Sequence, residues 1–151
     1  FYISCMYFGK GDYNNALNWI NKILNAPEPD HRKDLYAHSK IYNLVIHYEL
    51  GNREHLEYIV NNTFKFWKDR NRITKFESAV FKHFKNLKNS VTKNEVKDSF
   101  GEFLYELQKL YKSTDERHSF NFFDYISWAK SKVSGKSFTE VKMENFLPNK
   151  K

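Results

Sequence analysis

Residues 11–17 read Gly11-Asp12-Tyr13-Asn14-Asn15-Ala16-Leu17, and this stretch decides the fold. A glycine, an acid and an aromatic residue form a turn, and an apolar stripe follows it. The stripe keeps to one face of a helix, with members Tyr13, Ala16, Leu17, Ile20, Ile23 and Leu24. Pro27 and Pro29 end this helix, which we expect over about residues 12–26. The stretch therefore predicts a helical hairpin, with one helix before Gly11 and one after it.

Apolar residues three and four positions apart recur along the rest of the chain. They predict five more helices, over about residues 30–50, 52–67, 72–88, 92–110 and 122–134. The expected N-terminal caps are Asp30, Asn52 and the Thr92-x-x-Glu95 capping box. No two alternating runs are joined by a two-residue hairpin turn, so strands are not predicted. We expect an all-α fold of about seven helices, in which short connections make consecutive helices antiparallel.

The composition suits one domain. The chain has 151 residues, of which 40% are hydrophobic, so it can bury a sizeable core. Its single cysteine, Cys5, excludes an internal disulfide framework and favours the cytoplasm. No apolar run approaches the roughly 18 residues that span a bilayer, so no membrane partner is expected.

The first eight residues resemble the inside of a helix rather than a signal peptide. We therefore expect the chain to be the C-terminal part of a longer protein. We predict a single helical-repeat domain over residues 1–134. Residues 135–151 follow the last stripe and are expected to form a partly disordered C-terminal tail.

The formal charge of +7 lies mainly in the C-terminal half. Residues 1–70 contain 9 Lys and Arg against 8 Asp and Glu, and residues 71–151 contain 16 against 10. The excess contains no block of five or six like charges of the kind that marks a nucleic-acid arm. Solvated helix faces are the favoured interpretation, and RNA or DNA binding by the basic half is the alternative.

Around Gly11 the chain resembles the tetratricopeptide repeat, a two-helix unit of about 34 residues with a sparse pattern of small and large residues. With Gly11 at the turn, Ser4 takes the small position of the first helix and Tyr7 takes the tyrosine position. Ile3 takes the leucine position, and Ala16 takes the alanine position of the second helix. The final proline of the pattern is Glu28 here.

A second hairpin around Gly51 matches the pattern less well, and the resemblance covers about residues 1–60. It implies a right-handed stack of antiparallel helical hairpins, an α–α superhelix. The resemblance weakens toward the C-terminus, as expected where a capping helix closes such a stack. The alternative is an unrelated helical bundle in which Gly-Asp-Tyr is an ordinary turn.

The resemblance also implies a binding role, because the first helix of each hairpin lines a concave groove in that family. The side chains that correspond to the groove are His38, Ile41, Tyr42 and Val45, with Tyr48, Lys75 and Lys82 beside them. An apolar and aromatic groove with flanking lysines favours an amphipathic or mildly acidic peptide.

Motifs for chemistry are missing from the sequence. The six histidines form no His-Glu-x-x-His pair, and Cys5 is alone, so a zinc site is not predicted. Glu102 and Glu106 share a helix face, but neither is followed by the histidine that a di-metal bundle requires. No serine elbow or glycine-rich phosphate loop is present. We expect no catalytic, metal or cofactor site.

The leading functional prediction is a non-enzymatic cytoplasmic scaffold that binds a protein or peptide on its concave helical surface. The nucleic-acid alternative uses the basic C-terminal half, and a third option is a cap on the catalytic region of a longer enzyme. Two aromatic residues, Phe66 and Trp128, lie off the main apolar stripes. They are expected to pack against a neighbouring repeat or to mark a contact surface.

Overall fold

The computed structural model describes residues 1–71 and 73–147, apart from the side chain of Arg53. The described residues form eight α-helices and no strand, which confirms the all-α prediction and adds one helix to it. The helices are α1 (Tyr2–Gly9), α2 (Tyr13–Leu24), α3 (Lys33–Glu49), α4 (Arg53–Asp69), α5 (Lys75–Asn89), α6 (Lys93–Tyr111), α7 (Tyr125–Ser134) and α8 (Phe138–Phe146). A short 3₁₀ turn, Arg117–Asn121, precedes α7.

The chain divides into two compact units, Phe1–Ile73 and Thr74–Lys151. Helices α1–α4 belong to the first unit and α5–α8 to the second. The boundary falls inside the range 1–134, which was predicted to be one domain. Within each unit every helix packs on the next one along the chain.

The first two helices form the hairpin that Gly11 predicts. Gly11 has a φ of 75°, and the Asp12 side chain accepts the backbone N–H of Asn15 at 3.1 Å to cap α2. The Ser4 hydroxyl donates to the carbonyl of Ala16 at 2.6 Å, and both residues are fully buried. Two small residues thus allow α1 and α2 to approach closely.

The start of α3 differs from the prediction. Asp30 was expected to cap this helix, but α3 begins at Lys33 and its N-cap position is Arg32. The Asp30 carboxylate lies 4.0 Å from the Lys33 ammonium instead of accepting a backbone N–H. Asn52 does occupy the N-cap position of α4, but its side-chain amide bonds the ring nitrogen of His47 at 3.1 Å.

The second unit is built around an aromatic core. Trp128 is 1% exposed, and its ring lies 5.2 Å from that of Phe100 and 6.2 Å from that of Phe84. The Thr92 and Glu95 capping box starts α6 as predicted. Helix α5 has an unpredicted capping box of its own, formed by Thr74 and Glu77, and therefore starts three residues later than expected.

The expected C-terminal tail contains an eighth helix that the sequence did not predict, because residues 138–146 form α8. Ser137 and Glu140 form a capping box that starts this helix, and Val141 is fully buried. The Lys142 ammonium lies 2.7 Å from the Asp124 carboxylate at the N-terminus of α7. Residues 148–151 of the expected tail lie outside the described residues.

Candidate functional site

A cleft with a volume of about 460 Å³ opens in the first unit. It lies where the α2–α3 connection and the start of α3 meet the end of α4. The described residues that line it are Glu28, Asp30, Lys33, Ala37, Trp67 and Arg70. The volume falls within the range of small-ligand pockets and also suits a few side chains of a peptide.

An aromatic and a small apolar side chain line the cleft together. Trp67 is 5% exposed and Ala37 is 8% exposed, so α3 and α4 hold both residues firmly. The His38 ring meets the Trp67 ring edge to face at 5.9 Å. Among the described residues, the indole Nε1 of Trp67 has no hydrogen-bond partner. The small exposed part of this buried ring can contact a partner's apolar side chain that enters the cleft.

Two ion pairs line the rest of the cleft. The guanidinium of Arg70 lies 2.5 Å from the carboxylate of Glu28, and it joins the end of α4 to the α2–α3 connection. The Lys33 ammonium lies 4.0 Å from the Asp30 carboxylate. The cleft therefore presents two cations and two anions around an apolar centre, a pattern that can pair with the charges of a peptide.

The cation of Arg70 also belongs to a cluster beside the cleft. Its guanidinium carbon lies 3.7 Å from the ring centre of Phe66, and the Lys40 ammonium lies 4.8 Å from the same ring. The Tyr36 ring lies 5.9 Å from Phe66 and 5.0 Å from the Lys40 ammonium. The cluster therefore places both cations against aromatic rings beside the cleft.

Burial lowers the pKa of Lys40, and the positive charge of Arg70 lowers it further, whereas Glu28 opposes the change. The carboxylate of Glu28 is thus the ion-pair partner of Arg70 and also acts on Lys40 through its charge. An acidic group that entered the cleft would relieve the repulsion between the two cations.

The structure places most of the predicted groove residues in the core of the first unit. Ile41, Tyr42 and Val45 have no exposed surface, and His38 is 4% exposed. These four side chains therefore pack the unit, and the prediction that they line an open groove needs correction. The physical reason is that α3 packs on both α2 and α4, so opposite faces of the helix are covered.

The other three predicted residues lie elsewhere. Tyr48 is half-buried near the end of α3. Lys75 and Lys82 are exposed on α5, in the second unit. None of the seven predicted residues lines the cleft.

Phe66 and Trp128, the two aromatic residues off the main apolar stripes, lie in different environments. Trp128 lies in the core of the second unit, so it does not mark a contact surface. Phe66 is half-buried and carries the cations of Lys40 and Arg70 beside the cleft. The sequence shows Phe66 as an unusual position, but it does not show which cations lie over it.

The pattern of the sequence does not indicate the cleft, because the residues that line it come from distant segments. Glu28 and Arg70 are 42 positions apart, so no helical spacing links them. The available signal was limited to a tryptophan, Trp67, at the end of an apolar stripe and a cation three residues later.

In the part of the chain that the structure describes, no three or more His, Cys, Asp or Glu side chains are grouped so that they would hold a metal ion. None of the described helices has both the length and the apolar character needed to cross a membrane. No family model, curated protein or solved structure matches this chain.

Proposed function

We propose that this chain is a non-enzymatic helical scaffold that binds a protein or peptide partner. In this proposal the first unit is a right-handed pair of tetratricopeptide-like hairpins, α1–α2 and α3–α4. The buried contact between Ser4 and Ala16 supports the resemblance, because the repeat requires small residues where its two helices cross. The order of contacts also supports it, since residue 4 meets residue 16 and residue 8 meets residue 13, as in an antiparallel hairpin.

The observation that carries the binding role is the cleft with its buried Trp67 and its paired charges. A peptide that places an apolar side chain against Trp67 and Ala37 would exclude water from the neighbouring ion pairs. Its own acidic group would then contact Lys33 and Arg70. Hydrogen bonds to charged groups contribute about 1.5–3 kcal/mol when water is excluded.

The proposal is tested by selecting peptides from a random display library against the folded chain. We expect the selected peptides to share a motif that contains an apolar residue near an acidic one. The double variant Lys33→Glu and Arg70→Glu should lose these peptides, because it reverses both cations that line the cleft. Binding of one selected peptide, measured by calorimetry, gives the size of the loss.

The matched control is Lys65→Glu with Lys68→Glu. Both lysines are exposed on α4, do not line the cleft, and change the net charge by the same amount. The control should bind the peptide as the unmodified chain does. A selection without a common motif contradicts the proposal, and so does equal weakening by both double variants.

A further inference from the structure

The exposed side of α5 contains no acidic residue. The structure describes every residue of this helix, and the exposed ones are Lys75, Ser78, Lys82, Lys85, Asn86, Lys88 and Asn89. The acid of the helix, Glu77, is 1% exposed and is held by the backbone N–H of Thr74 at 2.8 Å. The Glu77 carboxylate therefore caps the start of the helix and does not lie among the exposed lysines.

Three of the lysines form a strip. At about 100° and 1.5 Å per residue, Lys75, Lys82 and Lys85 lie within an arc of about 80° and along about 15 Å of the helix axis. The side-chain amides of Asn86 and Asn89 fall on or next to the same arc. A strand of B-form DNA places a phosphate every 3.4 Å or so, so the strip spans about four phosphates.

The neighbouring helix α6 has a different charge pattern. Its exposed lysines, such as Lys93 and Lys97, alternate with the exposed acids Glu95, Asp98 and Glu102. A mixed surface of this kind is typical of a solvated helix. The uniform sign is thus a local property of α5, rather than a consequence of the chain's net charge.

The composition of the strip indicates the kind of anion that fits it. A helix that lies on a membrane needs an exposed apolar face, but the apolar residues of α5, among them Phe76, Val80 and Phe84, are buried within the unit. Lysine and asparagine side chains are instead common donors to phosphate groups in nucleic acids. We propose that the exposed strip of α5, formed by Lys75, Lys82 and Lys85, binds the phosphate backbone of a nucleic acid.

This binding is non-specific in sequence and is measured by fluorescence anisotropy of the whole chain with labelled oligonucleotides. With three phosphates neutralised, the logarithm of the affinity should fall with the logarithm of salt concentration with a slope of about −2.7 for duplex DNA and about −2.1 for single-stranded RNA. Between about 50 and 200 mM salt, the duplex affinity should decrease about 40-fold.

The triple variant Lys75→Gln, Lys82→Gln and Lys85→Gln should lose this binding. Its matched control is Lys93→Gln, Lys97→Gln and Lys109→Gln on α6, which removes the same charge from the same unit. The control should keep the slope of the unmodified chain. The proposal is overturned if the chain binds neither the duplex DNA nor the single-stranded RNA at about 50 mM salt. Equal loss in both triple variants also overturns it, because the net charge would then be responsible.

The alternative partner is an anionic membrane. Vesicles of zwitterionic and anionic phospholipid test whether the strip binds one. We expect no binding of the chain to these vesicles under the same conditions. If the vesicles bind as tightly as the oligonucleotides, and the α5 triple variant abolishes this binding, the strip is a membrane contact and the proposal is wrong. The strip and the cleft lie in different units, so each can fail without the other.

Discussion

The imidazole of His83 stacks face to face on the ring of Phe103, with ring centres 4.1 Å apart and planes inclined by 2°. Phe100 and Trp128 approach the same imidazole edge to face. The Nδ1 atom of His83 lies 3.3 Å from the Ser99 hydroxyl. Burial in this aromatic core lowers the pKa of His83 to about 3. The second unit therefore holds a neutral histidine at its centre.

Acid should destabilise the second unit through His83. The folded pKa lies below the ordinary value of 6.5, so the neutral ring contributes stability above pH 6.5 that is lost as the pH falls toward about 3. Between about pH 7 and pH 5 the loss is about 2 kcal/mol. Burial raises the pKa of Glu77, so the protonated carboxyl contributes stability that is lost as the pH rises. This pH dependence is opposite to that of His83.

The variant His83→Phe isolates the histidine, since it keeps the stacked ring and removes the titration. Relative to this variant, the unmodified chain should lose about 2 kcal/mol of unfolding free energy over the same pH interval. Urea unfolding and hydrogen exchange in α5 and α6 measure the difference. His118→Phe, at an exposed site, is the control. Parallel pH profiles for the unmodified chain and His83→Phe would show that the ring is not buried as described.

Glu116 should be essential for the start of α5. Its carboxylate accepts the backbone N–H groups of Lys75 at 3.2 Å and Phe76 at 3.0 Å, and the residue is 7% exposed. Removing a buried charged acceptor leaves both donors unsatisfied, so Glu116→Ala should lower the unfolding free energy by about 2–3 kcal/mol. Asp115→Ala, at an exposed neighbouring site, should change it by less than about 0.5 kcal/mol. Equal urea midpoints for the two variants would contradict this role.

Replacing Gly101 and Gly135 by alanine should change the stability of the second unit in opposite directions. Gly101 lies within α6 with nothing within 4 Å of an added Cβ atom, so Gly101→Ala should stabilise the unit by about 0.5–1 kcal/mol. Gly135 ends α7 with a φ of 71° in equally open space. Gly135→Ala should therefore destabilise it by about 1–2 kcal/mol through backbone strain alone. Thermal unfolding of both variants checks the prediction. It would be refuted if both substitutions stabilised the chain or both destabilised it.

A large side chain at position 16, where α1 and α2 pack together, should destabilise the first unit. Ala16 has no exposed surface, and its carbonyl accepts the Ser4 hydroxyl. Ala16→Leu should lower the unfolding free energy by about 1–3 kcal/mol, because the added atoms have no room. Asn18→Leu, at an exposed position of the same helix, is the control for added bulk. A stable Ala16→Leu chain would show that the two helices do not pack closely.

Cys5 should react slowly with alkylating reagents. Burial raises the pKa of its thiol to about 11 from the ordinary 9.0, although a hydrogen bond with Tyr42 acts in the opposite direction. At neutral pH the reactive thiolate is then about 100-fold scarcer than in an ordinary thiol. The rate of iodoacetamide labelling in buffer and in concentrated urea measures this difference. Similar rates in the two solutions would show that the fold does not shield the half-buried thiol of Cys5.

Local patterns in the sequence predicted most of the helices. The Gly11 turn and the Thr92-x-x-Glu95 capping box act within a few residues, so their positions follow from the sequence. The Ser137 and Glu140 box carried the same kind of signal, but without a long apolar stripe after it α8 was not predicted. Asp30 failed as a cap because the backbone of α3 begins too far downstream to reach its carboxylate.

Periodicity in the sequence by itself determined the all-α class and the hairpin at Gly11, because turns and stripes are short-range features. Only the tertiary structure decided which stripe residues face solvent. It buried Ile41, Tyr42 and Val45, and it paired Glu28 with Arg70 across 42 positions. Side chains that are far apart along the chain meet only when the helices pack, and helical spacing contains no record of such contacts.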